Sequence, residues 1–313
     1  MSDLLKYSYR LGTRICLAGE GLGLYGGKAI TIPIDSPSTT VTVTLAREQG
    51  SSIVSREETG ENLDLVVSAI QQAMRARGFD PDGFHLLLES SVPTGYGLAS
   101  SATLYASVTE CLNRSFGYNM SIDDVGSIAY EAEHVINKVL VGKTDTNAVL
   151  HREIMLHDYG VIPACLSKLR GFPSNTSMII VGDKPSSYAG IGLLLKKRVL
   201  SQDKGIEEYR RAVDVLVPQL AEAFDCDDRK SISSLIQEIF KSVHNDLGVA
   251  NPDYHRMVET ALSAGAYAAK NVGLRTTGGC VYALCDSADE MNVCKAFGNS
   301  YAFVKILKKD QIK

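Results

Sequence analysis

Ten consecutive residues, Pro93-Thr94-Gly95-Tyr96-Gly97-Leu98-Ala99-Ser100-Ser101-Ala102, carry the first chemical signal in the chain. The two glycines let a backbone approach a ligand closely, and the serines open a stretch, 102–113, that reads as a helix. At a helix start, N–H groups without an intrahelical acceptor and the positive end of the peptide dipole favour an anion. For a bare Gly-x-Gly the plainer reading is a strand-to-helix turn that needs glycine for its geometry. The proline and the paired serines move the reading to a phosphate cradle.

The string resembles the central motif P-x-G-x-G-L-x-S-S-A of the GHMP kinases (galactokinase, homoserine kinase, mevalonate kinase, phosphomevalonate kinase) and matches it at every fixed position. Residues 12–24 (GTRICLAGEGLGL) resemble the family's first motif without its proline. Tyr130-Glu131-Ala132-Glu133-His134, followed by Gly142-Lys143-Thr144-Asp145, resembles the galactokinase pattern E-A-E-H…G-x-M-D. The segment Lys270 to Cys280 corresponds to the third motif, K-x-T-G-A-G-G-G-G-C, of which the two ends survive.

The resemblance implies a kinase that uses ATP with Mg²⁺, the triphosphate lying on Pro93, Gly95, Gly97, Leu98, Ala99, Ser100, Ser101 and Ala102. It makes Arg14 the catalytic cation, Asp145 the active-site carboxylate, and Ser101 and Glu133 the metal ligands. Phosphoryl transfer asks a protein mostly to position two oxygens and neutralise charge, and each role fits that demand. Asp145 beside a substrate hydroxyl could accept its proton, and a nearby arginine would keep the carboxylate ionised. A serine and a glutamate supply the hard oxygens that magnesium takes alongside phosphate and water. Plainer roles exist: Asp145 and Ser100 as helix caps, Lys143 and Arg275 as solvated cations, His134 as a structural side chain.

Galactokinases grip sugar hydroxyls with a Glu-His-x-Asp stretch, where this chain has Glu20-Gly21-Leu22-Gly23. Mevalonate kinases carry G-E-H-A-V-V-Y-G-K there; Tyr25-Gly26 fits that spacing, and residues 245–252 (NDLGVANP) resemble their L-G-V-S-x-P. Glu20 and Tyr25 are therefore the expected acceptor contacts, with a sugar or sugar derivative as the acceptor and mevalonate as the alternative. A ligand sensor that has lost catalysis is a third reading, invited by the altered third motif.

The elements that must hold these residues follow from periodicity. Residues 28–47 predict two strands broken at Asp35-Ser36-Pro37, residues 62–78 a helix, and residues 84–89 a strand leading into the Pro93 loop. Residues 121–139, 203–224 and 231–243 read as helices, as does 252–271 ahead of a glycine-rich turn; 154–158, 177–182, 280–285 and 301–307 read as strands. The expected fold is α+β, with two domains, 1–170 and 171–313, and the active site in the cleft between them.

In 313 residues, 45% hydrophobic and 22% charged with a formal charge of −4, the cations are dispersed, which argues against nucleic acid or an anionic membrane as partner. Seven cysteines without C-x-x-C spacing read as reduced thiols, and the start of the chain lacks a basic-then-apolar leader. These observations set the expectation of a cytoplasmic monomer or homodimer acting on a small molecule.

Overall fold

The computed structural model describes residues 5–21, 26–46, 50–55, 62–137, 142–161, 164–184 and 191–312. Its contacts divide the chain into two compact units, between which the chain passes several times. Among the described residues no helix is long and apolar enough to cross a membrane.

One unit comprises Met1–Thr13, Asp35–Thr94 and Ala99–His151. It holds the first part of strand β1 (Lys6–Ala18), the second part of β2 (Lys28–Leu45), β3 (Ser52–Ser55), helix α1 (Leu63–Arg75), β4 (Phe84–Ser90) and helices α2 (Ser100–Ser115), α3 (Ile122–Asn137) and α4 (Lys143–His151). Strand β2 runs antiparallel to β4 from Thr39 opposite Ser90 to Leu45 opposite Phe84, and β3 lies parallel to β4. Alternation in β2 turns Val41 and Val43 inward, where they share a core with Leu86, Leu88, Ile70, Tyr105, Leu112 and Ile128. Each such fully buried side chain contributes about 1.5–3 kcal/mol over leaving it exposed. Helix α1 starts at Asn62, whose side chain accepts the Leu65 N–H at 3.2 Å.

The other unit comprises Arg14–Ile34, Gly95–Leu98 and Arg152–Lys313. Here the first part of β2 pairs with β5 (Met155–Asp158), which pairs with β6 (Cys165–Lys168). Further along are β7 (Thr176–Asp183), α5 (Gly192–Leu200), α6 (Lys204–Asp225), α7 (Arg229–Asn245), α8 (Pro252–Ser263), β8 (Ala268–Asn271), β9 (Gly279–Asp286), α9 (Glu290–Phe297) and β10 (Phe303–Leu307). The strands β10-β7-β9-β8 form an antiparallel sheet in that order, and Ile179, Val181, Val281 and Ala283 pack from it against Met257, Ala261, Val293 and Phe297.

Two expected elements differ. The break foreseen at Asp35-Ser36-Pro37 does not end the strand: β2 continues from Lys28 to Leu45, and Arg10 donates to the Asp35 carbonyl at 2.8 Å and to Ser38 Oγ at 2.9 Å. The helix foreseen over 252–271 stops at Ser263, because Gly265 takes φ +108°, a backbone state that ends a helix. Residues 268–271 then form the wholly buried strand β8, despite an alanine content that favours helix.

Candidate functional site

The residues singled out from the sequence fall into two groups, one in each unit. The first sits on α2, α3 and α4. Helix α2 begins without a side-chain cap: Ala99 holds the N-cap position at φ 54°, and the first turn carries no acid. The Thr103 amide and hydroxyl both donate to the Ala99 carbonyl, at 2.9 and 2.8 Å, so the helix is wound from its first residue. By contrast α1, α6, α7 and α8 are each capped by an Asn or Asp side chain. A helix start left to backbone N–H groups and two serines suits an anionic guest. Ser100 is the first helical residue and does not cap, contrary to its plainer reading.

Helix α3 presents two glutamates with opposite fates. Glu131 forms a two-pronged ion pair with Arg77, at 2.9 and 2.5 Å, and the guanidinium holds its carboxyl below the usual range. Glu133, two residues on and so about 200° around the helix, is 5% exposed. A carboxylate buried at that depth is costly unless something positive meets it. The hydroxyl of Ser101 accepts from Asn137 at 3.4 Å, and Asn137 is one turn beyond Glu133 on the same helix. Asp145 is half-buried in the first turn of α4, where its charge suits the helix dipole. Lys143 lies over the Tyr130 ring at 5.3 Å.

The second group gathers around Gly97. Gly95 and Gly97 take φ +88° and +81°, and a Cβ on Gly97 would stand 3.0 Å from the Gly273 Cα. The glycines are thus required by φ and by close approach of two backbones. Arg14 is 6% exposed and donates from Nη1 to the Gly97 carbonyl at 2.8 Å, so its guanidinium braces the glycine turn. Tyr96 packs its ring 5.2 Å from that of Phe303.

Gly273 belongs to the altered third motif, and side chains from α8 hold that loop. Tyr254 Oη donates to the Gly273 carbonyl at 2.9 Å; Asn251 Nδ2 donates to the carbonyls of Arg275 and Gly278, both at 3.0 Å; Asp253 accepts the Gly278 N–H at 2.7 Å. Gly279, at φ +98°, leaves no space for a Cβ against the Tyr254 hydroxyl. Burial lowers the affinity of the Arg275 guanidinium for its proton.

Glu20, expected against the acceptor, is 4% exposed and forms an ion pair with Lys270, while Tyr209 Oη donates to it at 3.4 Å. Tyr25, the other expected acceptor contact, lies outside the described residues. His157 is buried and shares a 2.7 Å hydrogen bond with Thr31. Sequence reasoning missed the supports Asn251, Asp253, Tyr254 and Lys270. A lysine inside the apolar run Ala266-Tyr267-Ala268-Ala269-Lys270 was the one available signal, since a charge in such a run needs a partner.

ATP and Mg²⁺ can be tested against these residues. Among the described residues no cluster of three or more His, Cys, Asp or Glu side chains offers an all-protein metal cage. One hydroxyl and one buried carboxylate, Ser101 and Glu133, fit an ion that completes its shell with phosphate and water. The uncapped start of α2 fits the phosphates.

Residues 64–153 match the GHMP kinases N terminal domain. The particular relatives are of two kinds. The chain is 24% identical over 237 residues to the mevalonate kinase of Thermococcus gammatolerans, covering 72% of this chain and 66% of that protein. It is 24% identical over 271 residues to the galactokinase of Streptomyces coelicolor, covering 75% and 69%. The matches thus span about two thirds of these relatives' own length. The fold is shared with a Lactococcus lactis galactokinase solved in complex with galactose, at a TM-score of 0.81 and 20% identity over 96% of this chain and 92% of that one.

Proposed function

We propose that the protein transfers a phosphoryl group from Mg·ATP to a hydroxyl of a small molecule, with a sugar or sugar derivative as the acceptor. The observation that carries this reading is the start of α2: a Pro-to-Ala loop with two positive-φ glycines, running into a helix that no side chain caps. Bound there, ATP would supply its γ-phosphoryl group to the acceptor oxygen, with ADP as the leaving group.

The chain's own residues take the remaining roles. Backbone N–H groups of Ser100 to Ala102 bind phosphate oxygens, and Ser101 with Glu133 holds the magnesium ion. Asp145 orients the acceptor hydroxyl and takes its proton, and Arg14 steadies the glycine turn by donating to the Gly97 carbonyl. The protein acts in the cytoplasm as a monomer or homodimer.

A second reading, a mevalonate-type acceptor, is supported by the T. gammatolerans relative and by Glu20. The polar side chain left in the sugar-gripping stretch is engaged by Lys270. The test is calorimetry with Mg·AMPPNP, followed by an ATP-consumption screen over hexoses, heptoses, uronic acids, polyols, mevalonate and homoserine. We expect magnesium-dependent nucleotide binding and turnover with one acceptor class. Asp145→Asn should keep the nucleotide affinity and lower kcat by roughly 10²–10⁴-fold. Nucleotide binding without turnover on any acceptor would leave a sensor in place of a kinase; absence of nucleotide binding would remove both.

A further inference from the structure

Lys270 is wholly buried in β8 (0% exposed), where an ammonium group persists only against a partner. That partner, Glu20, lies 250 residues earlier in the chain and is itself 4% exposed. The pair is more than a plug in the core, because it continues into the third-motif loop. Lys270 Nζ also donates to the Asn271 carbonyl at 3.0 Å, and Asn271 Nδ2 donates to the Gly273 carbonyl at 2.8 Å. Gly273 abuts Gly97 too closely for a Cβ on either residue, and Arg14 holds the Gly97 carbonyl from the other side. An unbroken line of polar and backbone contacts therefore runs from Glu20 to the turn of the Pro93–Ala102 loop.

We infer that the Glu20–Lys270 ion pair, steadied by Tyr209, is a positioning device for the nucleotide: it fixes Asn271 and Gly273, and through them the Gly97 peptide. The inference rests on the kinase reading and gives Glu20 a nucleotide-side role, where the family resemblance gives it an acceptor-side one. Charge at Glu20 acts on the phosphates at a distance, through Lys270, Asn271 and Gly273, each of which touches the next.

Removing one partner leaves a buried, unpaired charge, so Lys270→Met alone should unfold at lower temperature. The informative variant is Glu20→Gln with Lys270→Met, which removes both charges at similar volume. It should recover much of the melting temperature, yet bind Mg·AMPPNP at least about tenfold more weakly than the parent. Amides of 271–279 should exchange with deuterium faster, while those of 103–115 should not change. Tyr209→Phe keeps both charges, should fold, and should weaken Mg·AMPPNP by roughly threefold. Parental affinity and parental exchange at 271–279 in the double variant would overturn the inference. If the double variant does not fold, the same result in Tyr209→Phe would do so. Failure of the parent itself to bind Mg·AMPPNP would instead overturn the kinase reading, and this inference with it.

Discussion

Residues 93–102 and residues 273–279 each bring glycine backbone to the point where Gly97 and Gly273 leave no room for a Cβ. The first is held mostly by what its own residues are: positive-φ glycines, Ala99 in the left-handed region, and a helix that starts where the loop ends. The second contains Leu274, Arg275, Thr276 and Thr277 and keeps its shape through side chains that arrive from elsewhere: Asn251, Asp253, Tyr254 and the Lys270–Glu20 pair. A loop whose shape is intrinsic can be recognised from a ten-residue string. A loop whose shape is imposed can lose its string and keep its place, provided the supports remain.

Three experiments break or sharpen this contrast. The largest effect is expected from Gly97→Val, which forces a branched side chain onto φ +81° and against the Gly273 backbone. Mg·AMPPNP affinity should fall by more than about 100-fold, since a branched residue at that φ must displace the glycine turn. Retained affinity would mean that the loop is not intrinsically shaped at all. Next comes Asn251→Ala, which strips donors from the carbonyls of Arg275 and Gly278 and also the cap from α8. Urea denaturation should show a loss of about 3 kcal/mol, and Asn251→Asp, which keeps the cap acceptor but not the amide donors, should recover about 1 kcal/mol of it.

The smallest effect concerns acid. Burial, then the neighbouring His255 and Lys270, pushes the His244 imidazole from its ordinary 6.5 down to about 4. The folded protein therefore keeps this group neutral while the unfolded chain protonates it, so its contribution is complete above about pH 6.5 and drains away as pH falls toward 4. Between pH 7 and pH 5 the loss is about 2 kcal/mol, and His244→Asn should flatten that part of the pH profile. Because Lys270 roots the second loop, the protection of amides 271–279 relative to their intrinsic exchange should fall with acid before that of 103–115 does.

What the sequence disclosed follows the same division. The α+β class, the strand into the Pro93 loop, α1, α3, α6, α7 and the glycine cradle all write themselves in spacing that spans fewer than about 25 residues. The continuation of β2 past Pro37 was hidden, because aspartate-, serine- and proline-rich strings mark turns unless a distant side chain such as Arg10 supplies what the ladder lacks. Strand β8 was hidden because alanine-rich residues follow local propensity toward helix, and the strand state is decided by burial beside β9. Ser101, Glu133 and Asp145 were legible as candidates, whereas the engagement of Glu20 by Lys270 was not, since no local rule links residues 250 positions apart.

The order in which the two units become complete bears on biogenesis. The unit built on β4 and α1 to α4 contains no residue later than His151, so a ribosome has delivered every part of it with half of the chain still unmade. The other unit opens at Arg14 yet depends on late arrivals: β2 pairs through residues 28–31 with β5, and Ile34 bridges to Ile312. The apolar residues Ala29, Ile30, Ile32 and Ile34 must therefore wait, unpaired along that edge, until those segments emerge. Such a waiting strand is a target for chaperones and a hazard for mispairing, so slowing translation after residue 151 should favour soluble protein by letting the first unit form undisturbed.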